Sequence, residues 1–204
     1  MAIGTLHTRS SLGHRDHGRE LTYEEFLAGD FEEGYRYELI EGRLYVSPPS
    51  NYPHDLMREY IRDELAAYRA QRREQIARLS SAPRVFVPGE AKTTCPEPDF
   101  AIYRTCPPGW HVRWQDISPL IVAEVVSPDN SEKDYVRNVT LYQRVPSIRE
   151  YWVFDRCGED DGPTLRVYQR GTARQKWKIA DYGPRDVYTT PLLPGFKLPV
   201  CPPQ

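Results

Sequence analysis

Residues 95–128, CPEPDFAIYRTCPPGWHVRWQDISPLIVAEVVSP, decide the fold. Within them residues 120–126, LIVAEVV, form a nearly unbroken apolar run of strand length, the pattern of a strand covered on both faces. Glu124 interrupts it. A carboxylate left unpaired there would cost several kcal/mol, so it must be protonated, paired with a cation or bound to a metal. Asp99 sits in a similar context: Pro98 biases Glu97 toward extended geometry, and Phe100, Ala101, Ile102 and Tyr103 continue as a short strand. Two acids on neighbouring strands make a site for a hard cation.

A chain of 204 residues supports one domain with a sizeable core. The boundaries expected are a flexible tail over residues 1–18 and a single domain over 19–204. With 27 basic and 29 acidic residues the formal net charge is -2, so the whole-protein field gives no push toward nucleic acid or anionic membrane. Any nucleic-acid contact has to use a local patch. The sequence has no run of about 18 apolar residues and its polar start lacks a signal-peptide core, so no membrane association and a cytoplasmic location are expected. Cys95, Cys106, Cys157 and Cys201 form no CxxC pair and read as reduced structural thiols, with a Cys95–Cys106 disulfide as the alternative. There is no P-loop, GxGxxG or nucleophile-elbow motif, which removes the commonest phosphate-loop and acyl-transfer chemistries.

Outward from the central stretch, His14 and His17 fall in the polar tail with no Cys or acidic partner nearby, the pattern of solvated histidines. Thr22 and Glu25 make a T-x-x-E capping box for a short helix ending near Gly29. Residues 35–47, YRYELIEGRLYVS, predict a tight hairpin with Gly42 supplying positive φ, and Glu38 inside its first strand. The long helix is predicted over 54–73, with Met57, Ile61, Leu65 and Tyr68 as its apolar stripe. Arg58, Arg62, Arg69 and Arg73 share another face, which reads either as a solvated face or as one suited to phosphates. His54, at the start of that helix, either points to a site or caps the helix. Residues 84–87 predict a strand, and Trp110 and Trp114 read as lids on the core. Ser127, Pro128, Asp129 and Asn130 predict a turn, followed by a helix over 134–144 and strands over 148–155, 164–169 and 175–180. The proline-bounded C-terminal segment reads as an edge strand.

The order YELIEG, a histidine ahead of a helix, PEPDF, LIVAEVVSP, a helix ending in LY and the strand REYWVFD resembles the Uma-type restriction endonuclease family, within the PD-(D/E)xK nuclease superfamily. The similarity runs from about residue 21 to residue 200, and five pieces in this order are specific where any one is not. The resemblance implies an α/β, restriction-endonuclease-like fold with a mixed central sheet flanked by helices, here carrying a β-rich C-terminal extension. It implies a metal-dependent endonuclease hydrolysing DNA phosphodiester bonds with Mg2+ or Mn2+. The motif acids become Asp99 and Glu124, the upstream acid Glu38, and the histidine before the first long helix His54. The metal ligands become Asp99, Glu124, Glu38 and the Val125 carbonyl. DNA is the implied partner, and a homodimer is expected because two-fold symmetry suits double-strand cleavage.

One departure bears on catalysis. The superfamily lysine is absent at the third motif position, where this chain has Val126, and the matching position on the following helix is Asn138. Arg137 is adjacent but points about 100° away on an α-helix, and Lys133 lies upstream. A missing cation costs transition-state stabilisation. The alternative is therefore a catalytically weakened nuclease-like fold acting as a DNA- or protein-binding module, and a third reading has the acids purely structural, paired with arginines.

Overall fold

The computed structural model describes residues 11–126, 131–155, 162–171 and 177–202. Its contacts divide the chain into two units, Met1–Pro49 with Gly89–Pro96, and Ser50–Pro88 with Glu97–Gln204. Within the expected tail, residues 1–10 lie outside the described residues, and residues 11–18 are described. The expected turn at 127–130, Cys157, and Gln175 and Lys176 of the expected strand also lie outside the described residues.

In the first unit, β1 (Ser11–Leu12) pairs in parallel with β2 (Asp30–Phe31). Residues 11–18 have no apolar periodicity, yet Leu12 is fully buried and Asp16 accepts hydrogen bonds from the Gly13 amide and the Arg19 guanidinium. The order there comes from one buried leucine and local polar closure, which a periodicity search does not see. The two tail histidines go separate ways: His14 Nδ1 lies 3.1 Å from Glu32, and His17 Nδ1 is 3.2 Å from the Val46 amide. The capping box forms as predicted around α1 (Tyr23–Ala28), with Thr22 Oγ1 accepting from the Glu25 amide at 3.1 Å and Glu25 accepting from the Thr22 amide at 2.7 Å.

The hairpin joins β3 (Arg36–Ile40) to β4 (Arg43–Ser47). Both turn residues adopt positive φ, Glu41 at 50° and Gly42 at 70°, the geometry whose twist matches a two-residue hairpin. A Cβ on Gly42 would also meet the Lys92 side chain at 2.9 Å. Residues 89–96 return to this hairpin, where the Cys95 amide donates to Leu39 O and the Glu41 amide to Thr94 Oγ1.

In the second unit a six-stranded mixed sheet runs in the order β10-β9-β8-β7-β6-β5, comprising β5 (Arg78–Ser81), β6 (Phe100–Tyr103), β7 (Ile121–Val125), β8 (Glu150–Asp155), β9 (Thr164–Gln169) and β10 (Lys178–Tyr182). All its pairs are antiparallel except β7 with β8, which are joined through a helical crossover. Every residue of β7 is buried, as its apolar run requires. The strands expected as a C-terminal extension are half of this one sheet; β11 (Val187–Tyr188) and β12 (Leu198–Pro199) form a separate antiparallel pair.

The long helix, α2 (Tyr52–Gln71), starts two residues earlier than predicted because Asn51 caps it, its side chain accepting from the His54 amide at 3.1 Å. Its stripe of Met57, Ile61 and Leu65 enters the same core as Phe100, Ala123 and Trp152. Each of these burials contributes about 1.5–3 kcal/mol.

Two expectations fail. Residues 84–87 are not a strand: Pro83 and Pro88 bracket them, and the pairing with β6 is made by β5, whose RLSS sequence carries little strand signal. Trp110 is fully exposed, and Trp114 takes the Arg78 guanidinium over its ring at 5.1 Å rather than closing the core. Cys95, Cys106 and Cys201 are free thiols. Among the described residues no helix is long and apolar enough to cross a membrane.

Candidate active site

The β6–β7 ladder ends at the pair Phe100 and Ala123. Beyond that pair the two acids close the strand ends reciprocally. The Val125 amide donates to Asp99 Oδ2 at 2.9 Å, and the Asp99 amide donates to Glu124 Oε2 at 3.1 Å. Each carboxylate thus satisfies a backbone donor of the opposite strand, and both are only 1% exposed. They stand at the carboxyl end of β7 and the amino end of β6, side by side in the middle of the sheet.

Two helices complete the surroundings. From the first turn of α2, His54 Nε2 lies 3.4 Å from Asp99 Oδ2. His54 Nδ1 is buried without a hydrogen-bond partner. An unpaired N–H there would cost more than an unpaired lone pair, which assigns the proton of a neutral ring to Nε2, facing the carboxylate. The Asn51 cap therefore positions His54 toward Asp99, and His54 itself does not cap the helix.

The crossover helix supplies the rest. It begins with a π-helical turn, Lys133–Arg137, and continues as α3 (Asn138–Gln143). Such wider turns recur at functional sites. Asn138 is fully buried, and its Nδ2 donates to Glu124 Oε1 at 2.9 Å. It also approaches Asp134 Oδ1 at 3.4 Å, while Arg137 Nε donates to Asn138 Oδ1 at 3.0 Å. Arg137 on the oxygen fixes the orientation of the amide. Tyr142 OH donates to Glu124 Oε1 at 3.2 Å. Arg170 holds the end of α3, its guanidinium donating to the carbonyls of Tyr142, Gln143, Val145 and Ile148.

A profile of the Uma2 family, described as "Putative restriction endonuclease", matches residues 23–201. The chain belongs to the Uma2 family. A comparison with curated proteins finds no match. In this Uma2 chain Asn138, matched above to a lysine position by resemblance, is an amide in direct contact with Glu124.

Of the residues read as site candidates, Asp99, Glu124, Val125, His54 and Asn138 come together in the second unit. Glu38 belongs to the first unit, 3% exposed on β3 in register with Tyr45, and the constellation described here is drawn from the second unit alone. Asp134 and Tyr142 were missed by sequence reasoning. Their signal was a polar line at 134, 138 and 142, spaced four apart on a helix otherwise read for its apolar residues. Asp134 is buried, and its carbonyl accepts from Tyr151 OH at 2.9 Å. Burial, and then the charges of Asp134 and Glu124, push the Tyr151 hydroxyl well above its ordinary range, so it stays a donor.

The donor set suits a hard divalent cation: two carboxylates and a strand-end carbonyl, with no thiolate. Among the described residues no group of three or more His, Cys, Asp and Glu is arranged to hold a metal by itself. A pair of carboxylates suits a divalent cation that completes its shell with water.

Proposed function

We propose that this chain is a divalent-metal-dependent endonuclease that hydrolyses DNA phosphodiester bonds at Asp99 and Glu124. The observation that carries the reading is the reciprocal bonding of these two carboxylates at the ends of β6 and β7. Burying two acids in mid-sheet costs several kcal/mol, and a purely structural role would be filled more cheaply by apolar side chains.

Asp99, Glu124 and the Val125 carbonyl would hold Mg2+ or Mn2+. The bound ion supplies a more acidic water and offsets charge building on the phosphodiester. The chain's own groups prepare the ligands. The Val125 amide and His54 fix Asp99; the Asp99 amide, Asn138 and Tyr142 fix Glu124, so neither carboxylate has to reorganise on binding. What the site lacks is a cation at position 138. The Asn138 amide orients Glu124 but supplies no charge, and Arg137 reaches only its far side.

That contact favours a second reading, a nuclease fold that binds DNA with little cleavage. Plasmid nicking in Mg2+ by wild type and by Asn138→Lys separates the two. Nicking by wild type supports the endonuclease. Nicking only by Asn138→Lys supports the weakened fold with an intact metal pair, and no nicking by either protein would overturn the endonuclease reading.

A further inference from the structure

The row of arginines along and just beyond α2 converges on one surface. Arg62, Arg69 and Arg73, with Ala66 and Ala70 between them, line one side of a groove of about 330 Å3 whose other wall is Leu79 and Ser81 of β5. At about 100° per residue the four positions within α2, Arg62, Ala66, Arg69 and Ala70, span an arc of about 100°; Arg73 follows two residues past the helix end, and Asp63, just outside the arc, pairs with Arg62 at 3.1 Å. The alanines leave the floor low, so the guanidinium groups stand over a channel. β5 is an edge strand of the sheet, so this wall is a sheet margin.

The channel leads to the site. Ser81 is followed by Ala82, whose amide donates to the carbonyl of Asp99 at 3.1 Å. On the helix side Arg58 continues the row one turn before Arg62 and one turn after His54. Its Nε is buried without a hydrogen-bond partner, and its guanidinium reaches Asp55 only at 4.0 Å. Arg58 is thus weakly paired within the protein. Arg69 differs: it donates to the Ile76 and Ala77 carbonyls and ties α2 to the approach of β5.

We propose that the α2–β5 groove binds the phosphodiester backbone of DNA and guides it to Asp99 and Glu124. This rests on the endonuclease reading for its destination, while the binding itself is a separate claim. From Arg62 to its end at Gln71 the helix rises about 14 Å, which spans about four phosphate steps of one strand at about 3.4 Å each. The partner is recognised by charge and spacing and not by base identity, because the groove offers guanidinium groups and a serine but no array of amide side chains.

The test is duplex binding in EDTA, followed by fluorescence anisotropy from 50 to 200 mM salt, for wild type, Arg62→Ala/Arg73→Ala and Arg62→Lys/Arg73→Lys. Both residues are solvent-facing, so the fold is kept. Losing two phosphate contacts lowers the salt slope by about 1.8, so wild-type affinity falls about 12-fold more than that of the alanine variant across this fourfold salt range. The lysine variant keeps the wild-type slope. A wild-type slope in the alanine variant, or no duplex binding by wild type, would overturn the proposal. Plasmid cutting by wild type and Asp99→Ala, run alongside, reads the nuclease claim independently: cutting lost in Asp99→Ala with an unchanged slope removes the groove alone, and a changed slope without cutting removes the nuclease alone.

Discussion

Replacing Asn138 by Asp exchanges one atom group at the centre of the buried network. Nδ2 now donates to Glu124 Oε1 at 2.9 Å and approaches Asp134 Oδ1 at 3.4 Å. The substitution removes a hydrogen bond to a charged group, about 1.5–3 kcal/mol, and sets a carboxylate oxygen against two others. At about 3 Å and an effective dielectric near 20 that repulsion is about 5 kcal/mol, an upper value because the cluster takes up a proton instead. Arg137 Nε, 3.0 Å from Oδ1, gains a carboxylate partner and offsets about 1 kcal/mol. The expected loss is about 3 kcal/mol at pH 8. The new carboxyl is held protonated in the folded state above its unfolded range near 4, so the deficit grows as pH rises past about 4 and shrinks below it. Urea unfolding followed by tryptophan fluorescence, with fully buried Trp152 as reporter, measures this at pH 8 and pH 4.5. Asn138→Leu, which adds no charge, should show a loss that varies less between the two pH values. An Asn138→Asp variant within about 0.5 kcal/mol of wild type at pH 8 would refute the network.

Other outcomes follow from single contacts. Asn138→Lys restores a cation beside Glu124 and is expected to raise plasmid nicking in Mg2+ by at least about tenfold, the equivalent of about 1.4 kcal/mol in the barrier. Glu150→Leu strands the donors Trp152 Nε1, Tyr188 OH and Thr190 Oγ1, now 2.9, 2.7 and 2.8 Å from its carboxylate, and should cost at least about 3 kcal/mol in chemical unfolding. Tyr60 donates to Pro199 O, and burial is the main cause that pushes its hydroxyl up to about 12. The unfolded chain releases that proton near pH 10 while the folded protein keeps it, so stability falls as pH rises from about 10 to 12, and Tyr60→Phe should flatten that fall in thermal scans.

The sequence made the sheet centre legible because apolar runs interrupted by one acid are rare and costly. Residues 120–126 and 100–103 became β7 and β6, with Asp99 and Glu124 where the spacing put them. Asn138 was legible only as the match to a lysine position, and its contact with Glu124 comes from the structure. The rest was less visible for physical reasons. β5 has little intrinsic strand preference and exists because β6 offers it a ladder. Asp134 and Tyr142 belong to a helix whose apolar residues dominate its reading, so the polar line they make with Asn138 went unused. The division of contacts into two units reflects a returning segment, residues 89–96, that pairs with a hairpin far away in sequence. Arg58, Arg62, Arg69 and Arg73 were visible as a row, but the groove needed β5, which the sequence did not reveal.

The central claim is that Asp99 and Glu124 bind a divalent cation in the folded protein. Its most direct test is the thermal midpoint during a Mn2+ titration of wild type and of Asp99→Asn/Glu124→Gln. At about 100 times the dissociation constant, binding adds about 2.7 kcal/mol and raises the midpoint by about 5–10 °C in a chain of this size. The account predicts that saturable rise in wild type and its absence in the double variant; an equal rise in both proteins, or none in wild type, would contradict it.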